Sequence, residues 1–399
     1  MRLRSLPFRV FSLLVLALAA VFSVGFAVAQ NATPIGTPVA GVAVVASGLT
    51  NPRGFTWGDD GTLYLTLAGS GGSEQLVVQA TPMPLFPGKS SSIVTVANGC
   101  TTTVVDGLPS LFIADVGWTF GVTDVASMNG DLYALAGGST DPNSPNGVYK
   151  VNADGTTTMV ADLASWFADN PPKFEAPDYD PGGNPFDMEA GADRLWVSDA
   201  VGGRIVTVTP DGTVALVADL SEGHMVPTGL ALDGKGGTYV GFETTPPYAD
   251  GSSKVVHVGA DGTVSDAWTG LTAVTDVAMG PDGTLYAAEM ATNTTDSAPY
   301  LRPNSGRIVR QTGPDTLEAV VTDVPYPVFI GFDPSGALFL DYPGFGTIEN
   351  RGEGIGALVS VNTDRGSPAS LAGMEMPAAT CMTGATPAAS PAPMATPVS

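Results

Sequence analysis

The chain has 399 residues, enough for one large or two average domains. An apolar content of 44% is ample for a core and argues against global disorder, while 50 Gly and 33 Pro are too many for a helical protein. Charged residues make up only 14%, yet acids outnumber bases 39 to 16; the net charge of −23 repels nucleic acid and anionic lipid and favours cations.

The N-terminus reads as a secretory signal. Arg2, Arg4 and Arg9 precede an apolar run from Val10 to Phe26, and Ala27-Val28-Ala29 forms a small-residue cleavage site. The alternative is an uncleaved anchor, for which the run is short against the ~20 residues a span needs. Cleavage after residue 29 removes three Arg and no acid, taking the net charge from −23 to −26. The mature chain has no further apolar run of that length and is expected in the extracellular or periplasmic space. Residues 30–41 form a Thr/Pro/Ala-rich lead-in and residues 367–399 a similar tail, both flexible and extended. The globular part is expected over residues 42–366.

Between the two linkers a strand–turn–strand unit recurs. Its copies begin near Pro52, Val122, Pro185, Pro227, Val274 and Val328, as in PFDMEAGADRLWVSDAVG and VTDVAMGPDGTLYAAE. Each has an apolar strand, a turn rich in Gly, Asp or Asn, and a second strand bearing an aromatic: Tyr64, Tyr133, Trp196, Tyr239, Tyr286 or Phe339. Asn-Gly and Asp-Gly between such strands signal hairpins. A second hairpin follows each first one, for example GRIVTVTPDGTVALVADL. Four strands in each of six repeats make an all-β, six-bladed β-propeller. The segments Ser70–Ser91, Thr140–Asn146, Ser165–Asn184, Thr244–Ser253 and Ala291–Ser305 are expected as loops on its faces. The sixth repeat ends at its third strand, Gly356–Asn362, and Val42–Leu49 (VAVVASGL) resembles the fourth strands of the other repeats. The N-terminal strand should therefore close the ring in the last blade.

The first and second strands of each unit meet at one edge. Asp276 and Glu289 are symmetric about their turn; the same register sets Asp187 against Asp199, with Glu189 two residues along, Gly229 against Glu243 and Gly331 against Asp341. Blade two contributes Asp124. First strands line a propeller's channel, so these carboxylates are expected to ring one mouth. Such a cluster suits a hard cation with oxygen ligands, above all Ca²⁺ on Asp187, Asp199, Asp276 and Glu289. The competing expectation is that each carboxylate caps backbone N–H groups and binds nothing. His257 falls on an outer strand and reads as structural, while His224 precedes a first strand in a loop that could reach the mouth or stay at the surface. Aromatics in the face loops, Trp118, Phe120, Trp166, Phe167, Tyr179, Tyr248, Tyr300 and Tyr326, either form a ligand platform or cover blade edges. No nucleophile elbow, zinc-protease, phosphate-loop or Cys-x-x-Cys pattern occurs. Cys100 and Cys381 are a pair that an oxidising compartment can join across the seam of the ring; two unpaired thiols are the alternative.

The repeat resembles the NHL/SMP-30-type six-bladed propellers, and more narrowly the ScyD/ScyE family of secreted bacterial proteins. The narrow resemblance rests on NPFDMEAGADRLWVSDAVGGRI, VPTGLALDGKGGTYVGFE, TDVAMGPDGTLYAAE and SGRIVR, in that order, and covers about residues 42–362. It implies the fold and export, and it supplies no catalytic residues. SMP-30-type lactonases place acidic and amide metal ligands at the channel mouth, but their ligand motif is incomplete here. Three readings of function stand side by side. The first is a monomeric binding or scaffold module for a small molecule or an extracellular protein. The second is a calcium-dependent hydrolase of the gluconolactonase type. The third is a lyase or synthase, which needs a channel-facing Glu or His in a hydrophobic pocket.

Overall fold

The computed structural model describes residues 39–76, 84–297, 300–347, 349–364 and 366–374. They form six sheets arranged as a six-bladed β-propeller, antiparallel but for one short added strand, with one short helix at Leu163–Asp169. Local chemistry builds the blades. The hairpin turn Asn98-Gly99 takes positive φ at both residues (53° and 80°), as does Asn129-Gly130 (56° and 80°). Two-residue turns of this hand match the twist of the strands they join. In the recurring Asp-Gly-Thr/Ser turns the Asp side chain accepts the N–H two residues on, as Asp154 does from Thr156 (3.0 Å), Asp261 from Thr263 (3.1 Å) and Asp282 from Thr284 (2.9 Å). This local bond explains why the motif repeats.

Val42–Leu49 pairs antiparallel with Gly356–Val361, from Val42 opposite Val361 to Leu49 opposite Gly356, and so becomes the outer strand of blade six. The core lies between neighbouring blades. Ile308 and Val321 of blade five, for instance, pack with Ile330, Leu340 and Val359 of blade six, all buried. Removing a large side chain from such a contact costs about 2–5 kcal/mol.

Several expected loops are more ordered. The segment Ser70–Ser91 contains the start of a long strand, Leu85–Ala97, which pairs with Cys100–Ile113. The apolar runs around Leu85 and Phe112 carry this hairpin beyond the blade, and Trp118–Phe120 adds a fifth strand to it. Composition had hidden the strand among Pro, Gly and Ser. In the stretch after blade two, Asp162 caps the helix by accepting from Ser165 N (2.9 Å), and Phe167 is buried. At the start of the expected tail, Ala369–Ser370 pairs parallel with the outer strand of blade five, Thr316–Val324, and Leu371 is buried. The signal segment and Cys381 lie outside the described residues, so the Cys100–Cys381 bridge does too. Among the described residues no helix is long and apolar enough to cross a membrane.

Candidate functional site: the channel and its mouth

The pairing of first and second strands differs from the symmetric register in a way that decides where the acids point. A register shift interrupts the inner hairpin of blades one to five, at Pro52/Phe55, Val122/Asp124, Pro185/Met188, Pro227/Leu230 and Val274/Asp276. Consequently Glu289 lies opposite Val274 and Asp276 opposite Ala288, while Asp199 lies opposite Pro185. In blade six Gly331 faces Phe339 instead of Asp341. Bulges of this kind re-aim side chains.

At the bulge, blades two, three and five carry Asp124, Asp187 and Asp276, and blades one and four carry Gly54 and Gly229; blade six, whose inner hairpin pairs without a register shift, has Phe329 at the matching place. Each aspartate reaches the inner strand of the next blade. Asp124 Oδ2 accepts from Met188 N (2.8 Å), Asp187 Oδ2 from Leu230 N (2.5 Å) and Asp276 Oδ2 from Ile330 N (2.7 Å). Asp124 and Asp276 also accept the N–H of the following residue, both at 2.7 Å. The glycines make room for them: a Cβ at Gly54 would lie 1.7 Å from Asp124 Oδ1, and one at Gly229 would lie 2.4 Å from Asp276 Oδ1. Burial pushes Asp124 and Asp276 well above the ordinary carboxylate range, and the nearby Asp187 charge adds to this. Asp187 is raised to about 6 by burial, with hydrogen bonding from Asp124 and the backbone opposing. Glu189 is partly exposed and raised to about 8, by burial and then by Asp187. Asp124, Asp187 and Asp276 clasp neighbouring blades across the waist of the channel.

Asp199 and Glu289 are occupied differently. Asp199 Oδ2 accepts from Arg204 Nη2 (2.6 Å) and Nε (2.9 Å), and its Oδ1 accepts from Asn184 N (2.8 Å); both side chains of the ion pair are buried. The guanidinium rests on the Phe167 ring at 4.3 Å. Glu289 Oε1 accepts from Thr272 N (2.7 Å) and Oε2 pairs with Arg307. Burial raises Glu289, with Arg307 opposing. Asp341 is buried and accepts from Phe329 N (3.3 Å). Burial raises it well above the usual range, with Arg53 opposing.

The four residues assigned to calcium therefore do not fit the ion as a set. Two of their carboxylates face guanidinium groups, and the other two accept backbone N–H from the next blade. A dication would have to displace those partners. Among the described residues no group of three or more His, Cys, Asp or Glu side chains is arranged to hold a metal. Of the two histidines, His257 Nε2 lies 2.8 Å from Asp233 Oδ2 beside the Tyr239 ring, and His224 Nε2 lies 2.7 Å from the buried Asp178.

Glu243 stands apart. Its N–H bonds to Val226 O, as Ala200 N bonds to Asn184 O and Met290 N to Ala273 O. Glu243 is thus equivalent to Ala200 and Met290, one residue beyond the position of Asp199 and Glu289. One step along a strand reverses the side a residue faces. The three equivalent residues line a cavity of about 60 Å³ at one mouth of the channel. On this scale, room for one water is about 10–15 Å³, so the cavity holds several waters or part of a small organic molecule. Its walls include Trp118, Phe120, Phe186, Tyr248 and Phe345, and Glu243 is the one formally charged residue of the lining. Burial alone raises Glu243 to about 7. The mouth is therefore an aromatic cup with a single carboxylate, where an acidic rim had been expected.

Trp118, Phe120 and Tyr248 were among the aromatics singled out in the sequence; Phe186, Ala200, Met290 and Phe345 were not. A countable signal was present. The acid follows the strand's aromatic by three residues in blades three and five, Trp196 to Asp199 and Tyr286 to Glu289, but by four in blade four, Tyr239 to Glu243.

No protein-family model matches the chain, and no curated protein matches it. Solved structures do. A calcium-binding regucalcin from Agrobacterium tumefaciens is 15% identical, with a TM-score of 0.51, over 83% of this chain and 97% of its own. A protein from Thermus thermophilus described as a candidate glucose dehydrogenase is 15% identical, with a TM-score of 0.51, over 80% of this chain and 99% of its own. A gluconolactonase from Xanthomonas campestris is 13% identical, with a TM-score of 0.49, over 80% of this chain and 89% of its own. The structural neighbours are propellers of the SMP-30/gluconolactonase-like kind, and at this identity the likeness is one of fold.

Proposed function

We propose that the protein is a secreted, monomeric ligand-binding propeller that takes a small, largely apolar molecule in the cup at the channel mouth. The observation that carries this reading is the cup itself, walled by aromatic rings contributed from several blades. Such a concave apolar site with a few polar groups is the usual form of a small-molecule pocket. The resemblance to ScyD/ScyE proteins and the N-terminal signal pattern support export, and with it an extracellular or periplasmic place of action. The calcium-dependent hydrolase reading draws on the fold it shares with regucalcin, but the carboxylates it would use are engaged by arginines and backbone N–H groups.

The test is ligand-observed NMR with a panel of small neutral aromatics. Saturation transfer is expected with the wild type and should be lost in Ala200→Phe, which fills the cup. Equal transfer to both proteins would place the contacts elsewhere on the surface and defeat the reading.

A further inference from the structure

Glu243 has a carboxylate that, among the described residues, makes no side-chain hydrogen bond and no ion pair. Every other carboxylate considered at the channel has a backbone N–H, an arginine or a neighbouring acid beside it. Glu243 is half-buried, and the one cause that raises it is this partial removal from water. A carboxylate partly removed from water and without a partner is less favourable than a solvated one, and a ligand that supplies the missing charge or donor while closing off the cup relieves that cost. The surrounding surfaces suit a cation. Aromatic faces attract one within about 6 Å of a ring centroid. The strongly negative chain, at −23, raises the local concentration of cations around it. The Arg53 guanidinium rests on the Trp118 ring at 4.3 Å and donates to the carbonyls of Pro52, Thr119 and Gly344.

We propose that the cup selects a small organic cation, an ammonium group on an apolar skeleton, with the ammonium on the Glu243 carboxylate and the skeleton among Trp118, Phe120, Phe186, Tyr248 and Phe345. This rests on the cup being the binding site, and it names the class of molecule bound there. A neutral isostere keeps the ring contacts and forgoes the ion pair. An anion of the same shape meets Glu243 directly. Tyr248, whose hydroxyl feels the Glu243 charge, is the other titratable group on the wall.

The experiment is calorimetric titration of the mature protein with benzylamine, benzyl alcohol and benzoate at pH 8, in the wild type and in Glu243→Gln. Benzylamine is expected to bind at least tenfold more tightly than benzyl alcohol, with benzoate the weakest. Glu243→Gln is expected to bring benzylamine down to the level of the alcohol. Because the carboxylate must be ionised to pair, lowering the pH of the wild type from 8 to 5.5 should weaken benzylamine toward the level of the alcohol, by about sevenfold for a tenfold preference and at most roughly thirtyfold, for a group titrating near 7, and leave benzyl alcohol little changed. This second measurement needs no variant. If amine and alcohol bind the wild type equally, the cup binds ligands but the cationic class is wrong. If none of the three binds, the cup is not the site and both proposals fall.

Discussion

Replacing Arg204 by methionine would leave Asp199 buried without its counter-charge. Neither side chain of the pair is more than 1% exposed, and Asp199 Oδ2 accepts two guanidinium N–H groups, at 2.6 and 2.9 Å. Arg204 also donates to the carbonyls of Phe167 and Asn170, so the substitution frees the helix connecting blades two and three. Removing one member of a buried pair costs about 3–5 kcal/mol. At about 2 °C per kcal/mol, the lower end for a large domain, the thermal midpoint should fall by about 6–10 °C. The double variant Arg204→Met with Asp199→Leu exchanges the pair for apolar groups and should recover most of the loss, ending within about 2 kcal/mol of the wild type. The assay is thermal unfolding followed by circular dichroism, with calcium and with chelator. A cost under about 1 kcal/mol for the single variant would refute the pairing argument. So would a calcium-dependent rise in the wild-type midpoint that Asp199→Asn abolishes, because Asp199 would then be holding a cation other than Arg204.

Three further outcomes are expected. Asp187 has a folded-state value raised to about 6, above the ordinary 3.8, so the folded protein holds that proton more tightly than the unfolded chain. Its stabilising contribution is complete at pH below about 4 and is lost as pH rises to about 6, a change of about 3 kcal/mol that Asp187→Asn should flatten in a pH series of unfolding midpoints. Gly229→Ala places a Cβ 2.4 Å from the Asp276 backbone and should cost about 1–3 kcal/mol in denaturant unfolding, while Gly366→Ala, with open space around it, should be neutral within about 0.5 kcal/mol. Ala46→Pro disrupts the closing strand at a buried position opposite Leu358 and should cost about 3 kcal/mol; light scattering should also show association through the exposed strand edge of blade six, and an unchanged, monodisperse protein would contradict the closure.

The blades were legible because their signals are local. An Asn-Gly turn such as Asn98-Gly99 needs only its own backbone to fold back, and an Asp side chain that accepts an N–H two residues on marks its turn wherever it occurs. The closing strand was legible for a related reason: Val42–Leu49 carries the pattern of an outer strand, and the sixth repeat lacks one. The long hairpin at Leu85–Ala97 was not, because its apolar residues sit among Pro, Gly and Ser and find their partners across the turn. The site divided along the same line. Sequence selected Asp124, Asp187, Glu189, Asp199, Glu243, Asp276, Glu289 and Asp341 as a group, since they recur at related places in the repeat.

What the sequence determined by itself was the repeat, the ring and the edge at which a site would lie, because these follow from short-range turns and strand periodicity. Tertiary structure decided which acids are available there. A bulge in each inner hairpin of blades one to five shifts the register, and the extra residue between Tyr239 and Glu243 sets Glu243 one step beyond Asp199 and Glu289. Its neighbours meet arginines or the next blade's backbone, partners that only folding brings near. Glu243 alone faces the aromatic cup, because one step along a strand turns a side chain from the body of the blade to the mouth of the channel.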